Sequence, residues 1–367
     1  MKEGYDEAMK ARLKKWRLFA VLAVLGLILS GCGEPFLSAL DPAGEVAQTQ
    51  FDLMILSTAI MVLVILVVVV VYVVAIFRFR RKKGDEDKIP KQVEGSHKLE
   101  LLWTIIPIIL LLILAVPTVS ATFKLADNKG LNDKDGKGNP KAVVVNVRAN
   151  LYWWEFEYPN QKIITSQDLV VPTDEKVYFR VKASDVKHSF WVPAAGGKMD
   201  ANVDNVNTFW LEFDGKKAKE AGNLFYGKCA ELCGPSHALM DFKVKAIPKD
   251  EFNQWVKDMQ AAKVTTPSDP VAAQGQEIFK QKCLSCHAVT PQDNRPEQAR
   301  TAPNLANFGE RSRIAGVLDH NKEELKNWIR DPEKYKPGNK MTGAYGQLTE
   351  DQIDKLATYL MTLKVQD

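Results

Sequence analysis

Five side chains that can bind metal fall within twelve residues in the second half of the chain. They are Cys229, Glu231, Cys233, His237 and Met240. Thiolate and thioether are soft ligands, and together with imidazole they suit copper. The Cys and His spacing would line up on a helix, but Gly234-Pro235 interrupts it, because proline disfavours helical backbone at the preceding residue. The pattern therefore predicts a loop folded around a metal.

Two other interpretations of the paired cysteines are a disulfide and half of a zinc site. A disulfide would leave His237 and Met240 without a role, and zinc sites rarely use methionine. A second imidazole is available at His188, which follows the strand-like run 177–181. One ligand at a strand end and a ligand loop before the last strand is the layout of a cupredoxin.

His188 followed by Cys-x-Glu-x-Cys-Gly-x-x-His-x-x-Met resembles the binuclear CuA site of cytochrome c oxidase subunit II. The resemblance extends from residue 51 to about 260. It implies that Cys229 and Cys233 bridge two coppers, with His188 and His237 as terminal ligands.

The same resemblance assigns the two remaining residues of the motif. Met240 would be the weak axial ligand of one copper, and Glu231 would bind the other copper through its backbone carbonyl. In the family this Glu side chain also reaches a Mg site shared with subunit I.

An aromatic run, Tyr152-Trp153-Trp154, precedes these motifs. Aromatic residues at strand spacing most often pack a core. In subunit II a similar run lies over the copper site, and its first residue, commonly Trp, accepts electrons from soluble cytochrome c. Tyr152 departs from that pattern. Glu157 and Asp168 are acidic positions expected to face subunit I or an electron donor.

A second motif, Cys283-Leu-Ser-Cys286-His287, has the spacing of covalent heme c attachment, with two thioethers and an iron-binding imidazole. A thioredoxin-like dithiol or half a zinc site would use the same letters, but no βαβ pattern surrounds them. Asn321 and Thr349 begin predicted helices as N-caps, the second with a capping box.

The segment around this motif resembles a small class I cytochrome c domain. Such a domain needs a sixth iron ligand, and Met341 lies in the usual loop before the final helix. Met361 has the same chemistry, but its place on the packing face of a helix indicates core.

Two long apolar runs, at about 53–77 and 101–123, predict transmembrane helices. Arg78-Phe-Arg80-Arg81-Lys82-Lys83 begins the loop between them, which the positive-inside rule makes cytoplasmic. Both ends of the chain then lie on the extracytoplasmic side of the membrane. Glu100 precedes the second span, where a matching Glu in subunit II marks the mouth of a proton path. A solvated charge at a helix end explains it equally well.

The N-terminus combines a basic region with a short apolar run, as in a secretory signal. The run ends Leu29-Ser30-Gly31-Cys32, which resembles the lipobox of bacterial lipoproteins, in which the Cys is diacylated. An uncleaved anchor helix with a buried Cys is the alternative interpretation.

These observations predict a multidomain membrane protein. Its parts are a two-helix transmembrane hairpin, an all-β cupredoxin-like Greek-key domain and an all-α class I cytochrome c domain. The predicted order is a lipoprotein-type signal peptide (1–31), an extracytoplasmic segment (32–50), the hairpin (51–124), a linker (125–141), the CuA domain (142–260), a linker (261–270) and the cytochrome domain (271–367). With 49 basic and 45 acidic residues in 367, the net charge is +4, which gives no indication of a nucleic-acid partner.

The combined order resembles subunit II of a caa3-type cytochrome c oxidase in a bacterial cell membrane. That resemblance implies a path from an upstream respiratory donor through heme c and CuA to subunit I, where O2 is reduced to water and protons are pumped. Two alternatives are an electron-entry subunit of another reductase, such as one for nitric oxide, and a copper-delivery membrane protein.

Overall fold

The computed structural model describes most of the chain downstream of the predicted N-terminal signal. The described residues are 16, 19–26, 34, 36–80, 84, 89, 92–134, 136, 138 and 140–365. Cys32 and most of the predicted signal peptide lie outside them.

Two long helices form an antiparallel hairpin, α1 (Glu45–Phe79) and α2 (His97–Leu125). Lys124 at the end of α2 pairs with Glu45 at the start of α1, with 2.7 Å between Nζ and the carboxylate. Both helices are long and apolar enough to cross a membrane, and their apolar side chains are exposed in the chain alone. This confirms the predicted transmembrane hairpin.

Helix α1 begins earlier than the apolar run, because its first turn is part of the β-domain packing rather than of the membrane span. Val46 and Ala47 are buried, and the Ala47 N–H donates to the Ala195 carbonyl at 3.1 Å. A Cβ on Gly44 would lie 1.8 Å from the carbonyl oxygen of Glu212. The helix therefore starts directly on the surface of the next domain.

That domain is a sandwich of two five-stranded sheets. The strands are β1 (Val143–Asn150), β2 (Trp153–Tyr158), β3 (Ile163–Ser166), β4 (Asp168–Pro172), β5 (Val177–Ala183), β6 (His188–Trp191), β7 (Met199–Ala201), β8 (Asn207–Leu211), β9 (Leu224–Cys229) and β10 (Phe242–Ile247). The sheet orders are β3-β2-β1-β5-β8 and β4-β10-β9-β6-β7. The β1–β5 and β4–β10 pairs are parallel and the others antiparallel.

The core between the sheets is rich in aromatic side chains. Trp154, Phe156, Phe190 and Phe242 are fully buried and contact one another, with ring centroids 4.7–5.7 Å apart in the recorded pairs. Two short helices flank the sandwich, α3 (Gly215–Glu220) and α4 (Lys249–Ala261). The aromatic run thus forms part of a strand whose inward side chains fill this core.

The strand pattern was only partly predictable. The sequence predicts strand-like runs near 162–165, 176–182, 207–213, 223–227 and 241–246. They correspond to β3, β5, β8, β9 and β10, whereas β4, β6 and β7 have no counterpart in this prediction. These three are short, and β4 is buried along almost its whole length, so it shows no alternation.

The first half of the predicted 125–141 linker is packed rather than free. The side-chain amide of Asn128 donates to the Thr208 carbonyl at 3.1 Å, and residues 129–132 form a 3₁₀ turn. A Cβ on Gly130 would lie 2.2 Å from the hydroxyl of Tyr178. This segment therefore fixes the end of α2 against the β-domain.

A separate helical core forms the C-terminal domain. Its helices are α5 (Pro270–Lys282), α6 (Lys322–Arg330), α7 (Pro332–Tyr335) and α8 (Glu350–Met361). Two short antiparallel strands of two residues each, β11 (Arg313–Ile314) and β12 (Leu318–Asp319), form a small hairpin. The Asn321 side chain caps α6, and Thr349 with Gln352 forms the predicted capping box of α8. Helices α5 and α8 pack closely across this core, as expected for a cytochrome c domain.

The α5–α8 crossing depends on the missing side chain of Gly275, where a Cβ would lie 2.0 Å from the carbonyl oxygen of Lys355. We expect Gly275→Ala to destabilise the C-terminal domain by about 1–3 kcal/mol, because the helices must separate. Thermal unfolding followed by circular dichroism measures this. The neighbouring exposed change Gln274→Ala is the control, and equal stability of the two variants would contradict the prediction.

Candidate metal and heme sites

The paired cysteines and two histidines converge at one end of the sandwich. Cys229 ends β9, Cys233 and His237 lie in the loop that follows, and His188 begins β6. The two sulfurs are 3.9 Å apart. His188 Nδ1 is 3.8 Å from the Cys229 sulfur, and His237 Nδ1 is 3.6 Å from the Cys233 sulfur. Strand pairing of β6 with β9 creates this arrangement from distant parts of the chain.

The sulfur separation fits a shared metal and not a disulfide. A disulfide needs about 2.05 Å between sulfurs, and both cysteines are free thiols here. Two sulfurs 3.9 Å apart can both contact one ion, since a metal–thiolate bond is about 2.3 Å for zinc. The donor set of two sulfurs and two imidazoles suits copper.

The two thiols differ in acidity because they are buried together. Burial opposes ionisation of Cys229, but hydrogen bonds to His188 and to backbone groups lower its pKa below the ordinary value. Burial and the adjacent Cys229 charge raise the pKa of Cys233. Without a cation, the site therefore favours one thiolate, and bound metal would allow both thiols to lose their protons.

Asp185 orients the imidazole of His188. Its carboxylate accepts from His188 Nε2 at 2.9 Å and from the Leu151 N–H at 2.9 Å. Burial acts to raise the pKa of Asp185, but these hydrogen bonds outweigh burial and lower it to about 2. An ionised acceptor keeps the proton on Nε2, so the lone pair of Nδ1 faces the sulfurs. Sequence reasoning missed this residue, although its i–3 spacing from a ligand was a usable signal.

The structure places Met240 and Glu231 beside the same cluster. Met240 is completely buried, and its carbonyl accepts from Trp154 Nε1 at 3.2 Å. The Glu231 carbonyl lies 3.4 Å from the Cys229 sulfur, while its carboxylate is partly exposed and 3.6 Å from Lys198 Nζ. The ligand roles of Met240 and of the Glu231 carbonyl stay predictions.

A cavity of about 320 Å³ opens between the helical domain and the sandwich. The four predicted heme residues Cys283, Cys286, His287 and Met341 all line it. The rest of the lining is largely apolar, with Leu305, Phe308, Ile314, Leu325, Trp328, Ile329, Tyr345 and Leu360. A mostly apolar slot with two thiols at its edge suits a covalently held porphyrin.

Polar atoms around the cavity also fit a heme. His287 Nδ1 donates to the Pro303 carbonyl at 2.7 Å, and burial lowers the pKa of His287 to about 4, so Nε2 is left free as a neutral iron ligand. Gln167 Nε2 and Arg311 Nε are buried and have no hydrogen-bond partner, and both residues line the cavity. Unpaired buried donors beside an apolar slot match the carboxylates of a porphyrin.

Tyr152 lies between the metal cluster and the cavity. Its ring is 4 % exposed, and a Cβ on Gly234 of the ligand loop would lie 2.5 Å from its hydroxyl. On the other side, a Cβ on Gly338 of the Met341 loop would lie 3.5 Å from the same hydroxyl. Trp153 lines the cavity, whereas Trp154 is fully buried behind the cluster.

Contacts of Ser236 and Lys336, which the sequence does not predict, join the heme-ligand loop to the sandwich. The Ser236 hydroxyl donates to the Pro337 carbonyl at 2.7 Å. Lys336 Nζ donates to the carbonyls of Tyr152 and Ala315, both at 2.7 Å, and burial lowers the pKa of Lys336 to about 7. Neither residue belongs to a motif, so only the packing of the domains reveals them.

The remaining predicted positions are more peripheral. Glu157 and Asp168 both face the helical domain, since Arg300 lies 3.6 Å from Glu157 and a backbone hydrogen bond joins Asp168 to Ser312. Glu100 is half exposed in the first turn of α2, 3.8 Å from His97.

Family models match three consecutive parts of the chain. Residues 39–121 match the transmembrane domain of cytochrome c oxidase subunit II, residues 155–247 match its periplasmic domain, and residues 272–364 match cytochrome c. The three matches follow the order predicted from the sequence.

Curated relatives resemble the whole chain. Cytochrome c oxidase subunit 2 of Bacillus sp. (strain PS3) is 66% identical over 98% of this chain and 100% of its own length. The protein of the same name in Bacillus subtilis (strain 168) is 59% identical over 96% and 99%. A solved periplasmic domain of subunit II of cytochrome oxidase from Bradyrhizobium japonicum is 28% identical, covering 32% of this chain and 94% of that one, with a TM-score of 0.29.

We expect Asp185→Asn to weaken copper binding about 10- to 100-fold, because the amide no longer fixes the tautomer of His188 as a carboxylate does. Anaerobic copper titration of the purified chain, followed by its thiolate absorption, measures the affinity. The exposed residue Asp204, changed to Asn, is the control. Equal affinity in both variants would show that Asp185 does not position the ligand.

Proposed function

The chain belongs to the cytochrome c oxidase subunit II family, and on this premise we propose which of its residues carry electrons and in what order. It is a membrane-bound subunit of a respiratory oxidoreductase, it associates with subunit I, and it carries copper and heme c. When bound, the copper pair and the heme iron each accept and release single electrons.

The copper site is assigned to the cluster described above. Cys229 and Cys233 would bridge the metals, and His188 and His237 would complete the ends. Met240 would be a weak ligand of one copper, and Glu231 would bind the other through its backbone carbonyl. Burial of the cluster and the fixed tautomer of His188 hold these donors in place before the metal arrives, which limits rearrangement during electron transfer.

The heme site is assigned to the cavity residues. Cys283 and Cys286 would form the thioethers, and His287 and Met341 would bind the iron from opposite sides. A thioether ligand raises the iron potential, which suits a carrier late in respiration.

One observation supports the direct path from heme to copper: the same tyrosine contacts both ligand loops. Tyr152 and Trp153 lie where the cavity meets the sandwich, so packed protein atoms fill the space between the heme cavity and the copper ligands. Trp154 would act from the core side, where its edge faces the His188 ring with centroids 6.3 Å apart.

The orientation and further partners follow as expectations from the family. The loop that begins at Arg78 would be cytoplasmic, and both metal domains would lie outside, with Cys32 diacylated. Electrons would arrive from an upstream respiratory donor and leave to subunit I for reduction of O2 with proton pumping. Glu231 would reach a shared Mg, and Glu100 would open a proton path, in contact with the other oxidase subunits.

The two alternative functions are not favoured. A copper-delivery protein has no use for a second, heme-binding domain packed on its metal loop. An entry subunit of a nitric oxide reductase would need a different family relationship from the one found over nearly the whole chain.

The proposed cofactor content can be measured directly. Metal analysis and electron paramagnetic resonance of the purified chain should show two coppers in a delocalised mixed-valence state and one low-spin heme. Cys229→Ser should abolish the mixed-valence signal and leave the heme spectrum unchanged, because the two sites have separate cores. A single copper per wild-type chain would contradict the binuclear assignment.

The sixth heme ligand is tested by a pair of methionine variants. We expect Met341→Leu to lower the heme midpoint potential, because a thioether stabilises reduced iron. Met361→Leu, a change within the helical packing, should leave that potential unchanged. Redox titration followed at the heme absorption bands decides, and the opposite result would move the ligand to Met361.

A further inference from the structure

The cytochrome domain covers an open edge of the sandwich. Strand β3 is the last strand of its sheet, so one side of its backbone would otherwise face water. Instead, the Ile164 N–H donates to the Pro291 carbonyl at 2.8 Å, and the Ser166 hydroxyl accepts from the Asn304 N–H at 3.0 Å. Unpaired strand edges invite non-native pairing, so a domain that pairs with this edge protects it.

Beside this edge lies a buried group of three charges that we call the clamp: Arg148 and Glu155 of the sandwich and Arg300 of the cytochrome domain. All three side chains are 7 % exposed or less. Arg148 holds Glu155 in a two-pronged pair, at 3.0 and 2.7 Å. Arg300 reaches the same carboxylate at 3.2 Å.

Arg148 also binds the backbone of the cytochrome domain. It donates from Nη1 to the Glu297 carbonyl at 2.8 Å and from Nη2 to the Arg300 carbonyl at 2.7 Å. At the rim, Lys182 pairs with the Glu297 carboxylate at 2.7 Å. Glu157 adds a further carboxylate beside these pairs, 3.6 Å from Arg300.

A buried ion group of this kind selects one orientation. Its net contribution to stability is small, but removing one partner leaves a charge without compensation in a dry site. Other orientations of the cytochrome domain would bury Arg300 without Glu155. The short tether between the domains, residues 262–269, adds a high effective concentration that keeps the pair together.

Docking in this orientation also covers the electron-entry face of the sandwich. Tyr152 and Trp153 are 4 % and 7 % exposed, and the loop that carries Lys336, Pro337 and Gly338 lies over Tyr152. A soluble donor has no path to this face while the cytochrome domain stays in place.

We propose that the clamp holds the cytochrome domain permanently docked and thereby closes the copper face to soluble donors, so that every electron enters through the heme of the same chain. The inference rests on the proposed function, since it concerns the route between its two cofactors. Because the clamp is buried, salt does not screen it, and transfer from heme to copper is independent of ionic strength.

The test uses the full-length, cofactor-loaded chain in detergent and the variants Arg300→Met and Glu155→Gln. Hydrogen–deuterium exchange of the Ile164 N–H, which is paired with the Pro291 carbonyl across the interface, reports undocking. We expect this amide to be protected in the wild type and to exchange about 100-fold faster or more in both variants, the effect of breaking a buried ion pair on the docking equilibrium. Arg330→Met, which breaks a paired Arg within the cytochrome domain itself, is the matched control.

Rapid mixing with a reduced soluble cytochrome c provides the second measurement. In the wild type the heme should be reduced before copper, at a transfer rate unaffected by salt. In Arg300→Met part of the copper should be reduced before the heme, and heme-to-copper transfer should slow at high salt. Direct reduction of wild-type copper, or clamp variants whose Ile164 N–H is as protected as in Arg330→Met, would overturn the proposal.

The copper and heme spectra of each variant separate the two ideas. Intact spectra with unchanged amide exchange and an unchanged reduction order reject only the clamp. Wild-type protein that lacks the copper signal or the heme would reject the proposed function instead. Arg300→Met leaves the sandwich sequence untouched, so it remains informative if Glu155→Gln fails to fold.

Discussion

The arrangement of this protein depends on two thiols, one buried and one half-buried, held 3.9 Å apart. Burial opposes the ionisation of both thiols, but hydrogen bonds to His188 and to backbone groups lower the pKa of Cys229, and the adjacent Cys229 charge further raises the pKa of Cys233. A cation bound between the sulfurs would balance the charges of both thiolates and so remove their mutual repulsion. The rest of the fold serves to keep the thiols close: β9 fixes Cys229, its pairing with β6 brings His188, and Asp185 turns that imidazole inward.

The ligand loop is held from two sides. Behind it, Trp154 of the sandwich core donates to the Met240 carbonyl; in front of it, Ser236 donates to the heme-ligand loop. Tyr152 fills the space between the two loops and requires glycine at position 234 for its close approach. The two cofactor sites therefore share packing, although each domain has its own hydrophobic core. This shared packing is a physical reason for placing both carriers on one chain, since their relative geometry becomes a property of the fold rather than of diffusional encounter.

The membrane hairpin is also packed directly on the sandwich. Helix α1 starts on the β-domain surface, and Glu45 at its first residue is paired with Lys124 from the end of α2 and lies 3.8 Å from Lys176 of the sandwich. The segment after α2 is likewise packed on the sheet. The predicted linker 125–141 is thus packed in its first half rather than free. Its polar composition does not reveal hydrogen bonds to a neighbouring domain.

The chemistry of both sites can be predicted from short stretches of the chain. The spacing of Cys229, Cys233, His237 and Met240, and of Cys283, Cys286 and His287, is local, and local spacing with a restricted choice of ligand atoms is enough to name copper and heme. The two apolar runs and the capping residues Asn321 and Thr349 could be predicted equally well, because membrane spans and helix ends depend on residues that are neighbours in sequence. The contacts that join these parts could be identified only in the folded protein. Asp185 behind His188, Lys336 on the Tyr152 carbonyl, and Glu155 between Arg148 and Arg300 are contacts between positions far apart or outside any motif. Charged residues of this kind occur all over a surface, and nothing in their sequence surroundings shows which of them folding will bury together.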